Sequence, residues 1–390
     1  MCSAATRRAS TAHPSVRRDA VSAPSPQQNT EDMMTRRYRS GRLTALGAVL
    51  AVVGAATGCG ADLGTADLPD SMSALVEQAK SEGEVDWQAA KPLAQMQPVI
   101  DLFEKEYPGI DVTYTETKAP DQASRLNVQQ AAGRVSVDVA NAVGQTVVPS
   151  AKMADDVPWS AYGVAAENIF NEDFVYIWAA PKVWVYNTDK VKSADLPKTW
   201  DDLLQPSWAG GAVAADSPAQ FMTVWDLDPA MGEGRAVTWA KKFAEQGPHY
   251  TPTVNEAEAL VESGQVDMGT SLVNLVLQAK AKGAPVEIAP LSPTSASEAY
   301  LYVPKGAPHP AAAALLTSFL SSDKAQKVLG ETFNSRIPSS TDCSDPDGSP
   351  TLRAMCDAGL KWFPSTALSD YKSLSQFSVK AQKALGTDIS

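Results

Sequence analysis

Apolar residues recur along this chain with two spacings, one typical of helices and one typical of strands, and segments of the two kinds alternate. Met96, Val99 and Phe103 return every three or four positions, which predicts one buried helix face. A few residues later Ile110 and Val112 alternate with polar neighbours, as the residues of a half-buried strand do. A strand, a helix and a strand within about thirty residues are typical of a parallel βαβ unit.

The same succession continues over about 320 residues, without an internal repeat of solenoid length, and predicts an α/β protein with two doubly wound lobes. The predicted helices cover residues 72–83, 96–107, 121–133, 256–263, 272–282, 310–320 and 324–333, and the predicted strands cover residues 84–87, 110–114, 135–141, 183–186, 211–215, 266–269, 286–291 and 299–303.

The N-terminal part has a different composition. Residues 1–33 show no apolar period and are predicted to be a disordered tail. If translation starts at Met33 or Met34, the tail is not translated at all. Residues 34–58 combine four arginines, an apolar run and a small-residue end, which is the layout of a signal peptide. The apolar run is shorter than the roughly 20 residues of a spanning helix. Export by the general or the twin-arginine route stays open.

Cys59 directly follows the predicted signal peptide. The stretch Ala56-Thr57-Gly58-Cys59 resembles the bacterial lipoprotein box, in which the cysteine is lipidated and becomes the new N-terminus. Ordinary cleavage beside an incidental Cys59 is the alternative. Residues 59–82 are therefore predicted to be a lipidated N-terminus and linker, which would hold the protein on the outer face of the cell membrane.

The charge balance excludes one class of partner. Residues 1–58 contain eight basic and three acidic side chains of the 33 and 45 in the chain, so the remainder carries 25 and 42, a formal charge of −17. Such an acidic surface argues against nucleic-acid binding, which requires clustered lysines and arginines.

Two cysteines remain beyond the export segment. In an exported protein, Cys343 and Cys356 are most simply a disulfide. A metal site is the competing interpretation, but no histidine lies near them and two thiolates alone rarely bind a metal.

Candidate ligand contacts follow from the predicted sheets. Ligands of open α/β sheets bind beyond the carboxyl ends of the strands. This rule selects residues 87–91, 119–124, 141–145, 216–220 and 270–274, and within them Gln88, Lys91, Asn141, Ser217, Thr270, Ser271 and Asn274.

The sharper hypothesis concerns three hydroxyls. Ser217, Thr270 and Ser271 precede predicted helices, whose free N–H groups and positive dipole ends favour anions. They are predicted to bind a carboxylate or a phosphonate. The alternative is that they only cap their helices, which is the commoner use of such residues.

Several longer stretches carry a resemblance to a known family. They are EGEVDWQ, LFEKEYPGIDVTY, VYNTDKVKSADLPKTWDDLLQPSWAGGAVAADSPAQ and VPKGAPHPAAAALLTSFLSSDKAQKVL. In this order they resemble the extracellular solute-binding proteins of ABC importers, and among these the cluster of ferric-iron, thiamine, polyamine and aminoethylphosphonate binders. The match covers essentially the whole chain beyond the signal peptide.

The resemblance implies a type II periplasmic-binding fold with hinge strands between two lobes. It places lobe one at residues 83–181 and 289–338, and lobe two at residues 182–288 and 339–390. A monomeric protein would close around a small solute and dock on a membrane permease with ATPase subunits. Trp178, close to the implied hinge, is a further predicted ligand contact, although a tryptophan there is more often packing.

The resemblance also bears on the ligand. Ferric binders of this family carry adjacent tyrosines on the helix after the strand that corresponds to residues 266–269, whereas this chain has Leu-Val-Asn-Leu there. A small organic solute, anionic in the sharper hypothesis, is therefore expected, with no metal site and no cofactor. An exported enzyme or a sensory receptor on the same fold are the alternatives. The enzyme is disfavoured because neither histidine beyond Cys59 stands beside a nucleophile elbow.

Overall fold

The structure is a computed structural model, and it describes residues 63–216, 218–227, 231–332, 336, 343 and 349–387. The predicted tail, the signal peptide, Cys59 and Ser217 lie outside these residues. Within them, no helix is both long and apolar enough to span a bilayer.

Strands and helices alternate through most of the described chain. The helices are α1 (Met72–Glu82), α2 (Leu93–Glu106), α3 (Ala119–Ala131), α4 (Val147–Ser150), α5 (Pro218–Phe221), α6 (Val224–Leu227), α7 (Glu233–Glu245), α8 (Val254–Glu262), α9 (Val273–Ala281), α10 (Pro310–Ser321), α11 (Asp323–Glu331), α12 (Pro350–Asp357) and α13 (Leu368–Leu385). The strands are β1 (Glu84–Ala89), β2 (Asp111–Glu116), β3 (Ala140–Val143), β4 (Ile169–Phe170), β5 (Phe174–Asn187), β6 (Val213–Ala215), β7 (His249–Tyr250), β8 (Met268–Leu272), β9 (Val286–Ile288) and β10 (Ala296–Tyr302).

Two predicted strands are displaced, each for a visible reason. β3 begins five residues late, because the Asp138 carboxylate accepts hydrogen bonds from the backbone N–H groups of Asp86 and His309 and fixes the preceding residues as a loop. β8 runs on to Leu272, because it keeps pairing with β5 up to that residue. Thr270 and Ser271 are therefore strand residues, and the prediction that they precede the helix directly is wrong.

β5 connects the two halves of the fold. Its 14 residues pair first with β10, antiparallel, from Val175 to Pro181. From Lys182 onward the same strand pairs with β8 and β9 instead. The change of partner lies at the position where the sequence predicted the chain to cross between lobes.

The sheets on the two sides are mixed rather than purely parallel. On the first side the order is β3-β10-β5, and the parallel pair β1-β2 joins it through a bridge between Trp87 and Val139. On the second side the order is β5-β8-β6-β7, with β6 parallel to both of its neighbours. Each antiparallel pair of these strands includes β5 or β10, the two strands that carry the chain between the halves.

Each half has its own hydrophobic core. In the first, helix α10 is buried from Ala311 to Ser321 and packs near Trp87 and Phe103. In the second, Trp200 makes edge-to-face contacts with its neighbours, and such aromatic pairs contribute about 0.5–1.5 kcal/mol each beyond burial. The rings around it are Trp184, Trp225 and Trp239.

The C-terminal helix α13 packs on both cores. Tyr371, in its first turn, belongs to a cluster with Phe170 and Tyr300 of the first half. Phe377 and Leu385, farther along, belong to the core of the second half. The predicted lobe boundaries gave all of residues 339–390 to lobe two, whereas the helix runs from one half to the other.

Cys343 and Cys356 are paired in the structure, with their Cα atoms 5.7 Å apart. The pair ties residue 343 to helix α12 of the second half.

Candidate functional site

A cavity of about 240 Å³ opens beside the point where β5 changes partners. Its walls come from both halves, from the strands that join them and from the crossing helix α13. The lining residues are Pro120, Val143, Gly144, Gln145, Thr146, Lys182, Gln220, Thr223, Ser295, Ala296, Ser297, Glu298, Tyr371, Leu374, Ser375 and Ser378.

Lys182 is the cationic residue of this lining. It is only 9% exposed, and its Nζ donates a hydrogen bond to Oε1 of Gln220 over 3.1 Å. No carboxylate of the described residues forms an ion pair with it, although Asp216 lies near enough to act on its charge. Burial lowers the pKa of Lys182, because an ammonium loses hydration there. A buried ammonium without a carboxylate partner favours an anion in the adjoining cavity.

Glu298 is the acidic residue of the lining, and it is 5% exposed. Its carboxyl group accepts hydrogen bonds from the Ser365 backbone N–H over 3.0 Å and from the Tyr371 hydroxyl over 3.0 Å. The Tyr371 and Tyr300 hydroxyls are also 3.0 Å apart. Burial raises the pKa of Glu298 to about 7. This network joins the first turn of α13 to strand β10 at the wall of the cavity.

Two lining serines have unused hydroxyl groups. The Oγ atoms of Ser295 and Ser378 are buried and have no hydrogen-bond partner among the described residues. A buried hydroxyl without a partner costs about 1–3 kcal/mol. A bound molecule or water in this region would remove that cost.

Thr270 and Ser271 point to opposite faces of β8. Thr270 donates to Oδ1 of Asp216 over 2.7 Å and accepts from the Asp216 backbone N–H over 3.0 Å. Ser271 donates to Oε2 of Glu258 over 2.9 Å, on the other face. Neither residue lines the cavity or caps α9, whose N-cap is Leu272. The two hydroxyls thus lie on opposite faces of the strand and bind carboxylates of the protein, and the anion seat stays a prediction.

The other predicted contacts of this half are placed as follows. Asn274 is buried in α9 outside the cavity lining, with an Oδ1 atom that has no partner among the described residues. Ser217, the third predicted hydroxyl, is outside the described residues and stays a prediction.

In the first half, the predicted contacts lie near the carboxyl end of β1 but outside the cavity lining. Gln88 donates to Oδ1 of Asp86 over 2.9 Å. Burial lowers the pKa of Lys91 to about 8. Both amide atoms of Asn141 are buried without a partner among the described residues. Trp178 is 3% exposed and packs in the core of the first half, as the packing alternative expects.

Sequence reasoning found part of the cavity. Three of the five strand-end segments supply lining residues, namely Pro120, Val143 to Gln145 and Gln220. It missed Lys182, Glu298 and Tyr371. The signal for Lys182 was present, because it is the one charged residue in the apolar run FVYIWAAPKVWVYN, where an unpaired lysine needs an explanation.

One similar curated protein is the Fe(3+)-binding periplasmic protein of Serratia marcescens. It is 34% identical over 97 residues, which is 25% of this chain and 28% of that protein. The matched part thus spans little more than a quarter of that relative's length.

Solved structures match over more of the chain. The substrate-binding protein of the ABC transporter from Agrobacterium tumefaciens has a TM-score of 0.62 at 18% identity, over 79% of this chain and 96% of that one. AgtB from A. tumefaciens R10, in complex with agropinic acid, has a TM-score of 0.57 at 18% identity, over 78% of this chain and 99% of that one. The fold is the type II periplasmic-binding fold that the sequence resemblance implied.

A family profile matches a longer continuous segment than the curated relative does. It describes the bacterial extracellular solute-binding proteins and aligns with residues 99–355, which include the strand β5 and most of the cavity lining. Because this match covers more than half of the chain, the protein belongs to the family of bacterial extracellular solute-binding proteins.

Proposed function

We propose that the protein is the substrate-binding component of an ABC importer and that it captures a small organic anion in the cavity beside Lys182. The observation that carries this proposal is the place of the cavity, at the change of partner of β5 and between walls from both halves. The family consists of solute-binding proteins rather than enzymes, in agreement with the sequence analysis.

The position of the cavity gives a mechanism for capture. A solute that contacts both halves binds the closed arrangement better than an open one, so binding shifts the population toward closure. The flexing elements would be the strands β5 and β10, which pair with each other beside the cavity. The closed surface is what a permease with its ATPase subunits would recognise.

The charges around the cavity favour an organic anion over Fe(III). The described lining offers one carboxyl group and one phenol, Glu298 and Tyr371, together with the ammonium of Lys182. A ferric ion in this cavity would meet the positive charge of Lys182, whereas a carboxylate or phosphonate would neutralise it. Among the described residues, no group of three or more His, Cys, Asp or Glu side chains is arranged to hold a metal ion.

Export and anchoring complete the proposal. The signal-peptide layout and the lipoprotein-like stretch that ends at Cys59 support a protein tethered by lipid to the outer face of the cell membrane. The family resemblance implies that it acts as a monomer. The Cys343–Cys356 pair fits an oxidising compartment.

The test combines native mass spectrometry of freshly purified protein with a thermal-shift panel. The panel contains small carboxylates, phosphonates, thiamine, polyamines and Fe(III). A solute at 100 times its Kd should stabilise the fold by about 2.7 kcal/mol and be recovered unchanged. Lys182→Met should reduce this gain, to about 1.4 kcal/mol for a tenfold loss of affinity, whereas Lys280→Met, which removes a surface ion pair with Glu287, should keep it.

The outcomes separate the candidate functions. Consumption of the compound would identify an enzyme. Stabilisation by Fe(III) alone would contradict the proposal that the solute is an anion. If no solute is bound and none stabilises the fold, the proposal that this is a solute-binding protein would be contradicted.

A further inference from the structure

The cavity has two charged side chains of opposite sign. Lys182 and Glu298 both line it, and the other fourteen lining residues are uncharged. We propose that the solute is dipolar, with an anionic group at Lys182 and an ammonium group at Glu298. This inference rests on the proposed function, because it concerns the same cavity.

The two charges are separate sites and not one ion pair. Among the ion pairs of the described residues, none joins Lys182 to Glu298. Glu298 pairs across the sheet with Ala179, three residues before Lys182, so about 10 Å of strand separates the two positions. Two opposite charges held apart in one cavity are complementary to a molecule with two opposite charges held apart.

Each charged group also keeps unused hydrogen-bonding capacity. An ammonium has three donors, and among the described residues Lys182 uses one of them, on Gln220. A carboxylate has about four acceptor positions, and among the described residues Glu298 accepts from Ser365, from Tyr371 and from its own backbone N–H. These bonds orient the carboxyl group and leave it acceptor capacity.

Burial explains why one charge on the solute would not be enough. Lys182 and Glu298 are both more than nine-tenths buried. A solute with an anionic group alone would compensate the lysine and leave the carboxyl group without a cation. The cavity, at about 240 Å³, is smaller than the roughly 300–1,000 Å³ usual for drug-sized ligands. These features together favour a short amino acid or aminophosphonate.

The experiment compares compounds that differ by one charged group. Calorimetry would measure a series of short α- and ω-amino acids and 2-aminoethylphosphonate, each beside its deaminated acid and its decarboxylated amine. We expect a dipolar compound to bind best and to lose at least about tenfold in affinity without its ammonium, as expected for a charged hydrogen bond.

Two variants assign the groups. Glu298→Gln keeps a carbonyl oxygen for the Ser365 N–H, while its amide can donate to the Tyr371 hydroxyl. It should weaken binding of the dipolar compound while leaving binding of its deaminated acid unchanged. Lys182→Met should show the opposite selectivity, weakening the acid and not the amine. A purely structural role of Glu298 would weaken both compounds equally, and that result would overturn the assignment. Leu93→Ala, an exposed position on α2, is the control and should change neither affinity.

The inference and the proposed function fail in different ways. If only solutes of another class bind, or if a deaminated acid binds as tightly as its parent, the inference of a dipolar solute is wrong and the proposed function stands. If no solute of any class binds and none co-purifies, the proposed function itself is wrong.

Discussion

Glu258 is a buried carboxyl group outside the lining of the proposed cavity. It lies on α8, is 4% exposed, and receives one hydrogen bond from Ser271, while its Oε1 atom has no partner among the described residues. Burial raises its pKa to about 7. The folded protein therefore binds a proton at this site more tightly than the unfolded chain does.

The pH dependence of stability follows from that shift. Proton binding by Glu258 adds to the free energy of unfolding. This stabilisation is fully present below the ordinary pKa of 4.5 and is lost as the pH rises through about 7. Glu258→Gln, which stays neutral, should therefore gain up to about 3 kcal/mol relative to the original protein between pH 4.5 and pH 8. Urea unfolding at both pH values measures this difference. Glu245→Gln, exposed at the end of α7, should show no such change, and an equal effect of Glu258→Gln at both pH values would refute the prediction.

Gly269 is a position where any side chain would collide with its surroundings. A Cβ atom there would lie 2.8 Å from Cγ2 of Val261 and 3.1 Å from the carbonyl oxygen of Ala214. Gly269→Ala should therefore destabilise the protein by about 1–3 kcal/mol, the usual cost of overpacking. Gly234→Ala is the matched control, because nothing lies within 4 Å of its Cβ and a helical alanine is favoured. Chemical denaturation of both variants checks the prediction, and equal stabilities would contradict it.

At the residue scale, sequence reasoning located segments better than side chains. The strand-end rule placed Gln145 and Gln220 correctly near the cavity, because chain direction alone decides where strands end. The rule could not tell which face of β8 each hydroxyl occupies, because an error of three residues in the strand boundary changes the role of Thr270 and Ser271. Lys182 was missed because it lies in the middle of a strand and not at its end.

At the element scale, the predictions were right where one hydrophobic period dominates. Helices α2 and α10 were recognised from their apolar spacing. Helix α13 was not, because its buried residues Tyr371, Phe377 and Leu385 are separated by serines and lysines. Some of those serines line the cavity, so polar residues that interrupt the apolar period of the helix belong to the candidate site.

The cysteine pair is a local tie in the second half. It closes a loop with a sequence separation of 13 residues, and cross-links of that size stabilise by about 3 kcal/mol in the chain-entropy model. Reduction should therefore lower the melting temperature measurably. A variant with serine at positions 343 and 356 is the control, since it should melt at the lower temperature with or without reductant. An unchanged melting temperature on reduction would mean that the pair does not stabilise the fold.

At the scale of the whole molecule, solute binding should make the protein more compact. Walls from both halves surround the cavity, so a solute that touches both draws them together. Small-angle scattering should show a smaller radius of gyration with the solute that native mass spectrometry identifies. Lys182→Met should show no change at the same concentration, and an unchanged radius for the original protein would exclude closure.

The overall arrangement could be predicted only in part. Alternating strands and helices indicated two α/β lobes, and the partner change of β5 lies at the predicted crossing. The path of α13 across both cores depends on contacts between Tyr371 and residues about 70 to 200 positions earlier, such as Tyr300 and Phe170. No local pattern encodes contacts at that distance, so they became visible only in the structure.

The route of α13 has a consequence for the order in which the protein is made. The helix comes from the last part of the chain, yet it supplies Tyr371, Leu374, Ser375 and Ser378 to the wall of the cavity. A nascent chain that has not yet released this helix lacks one wall of the cavity and part of both cores. The solute can therefore be held only after α13 has been released, and a chain cut short before Leu368 would lose binding and stability together.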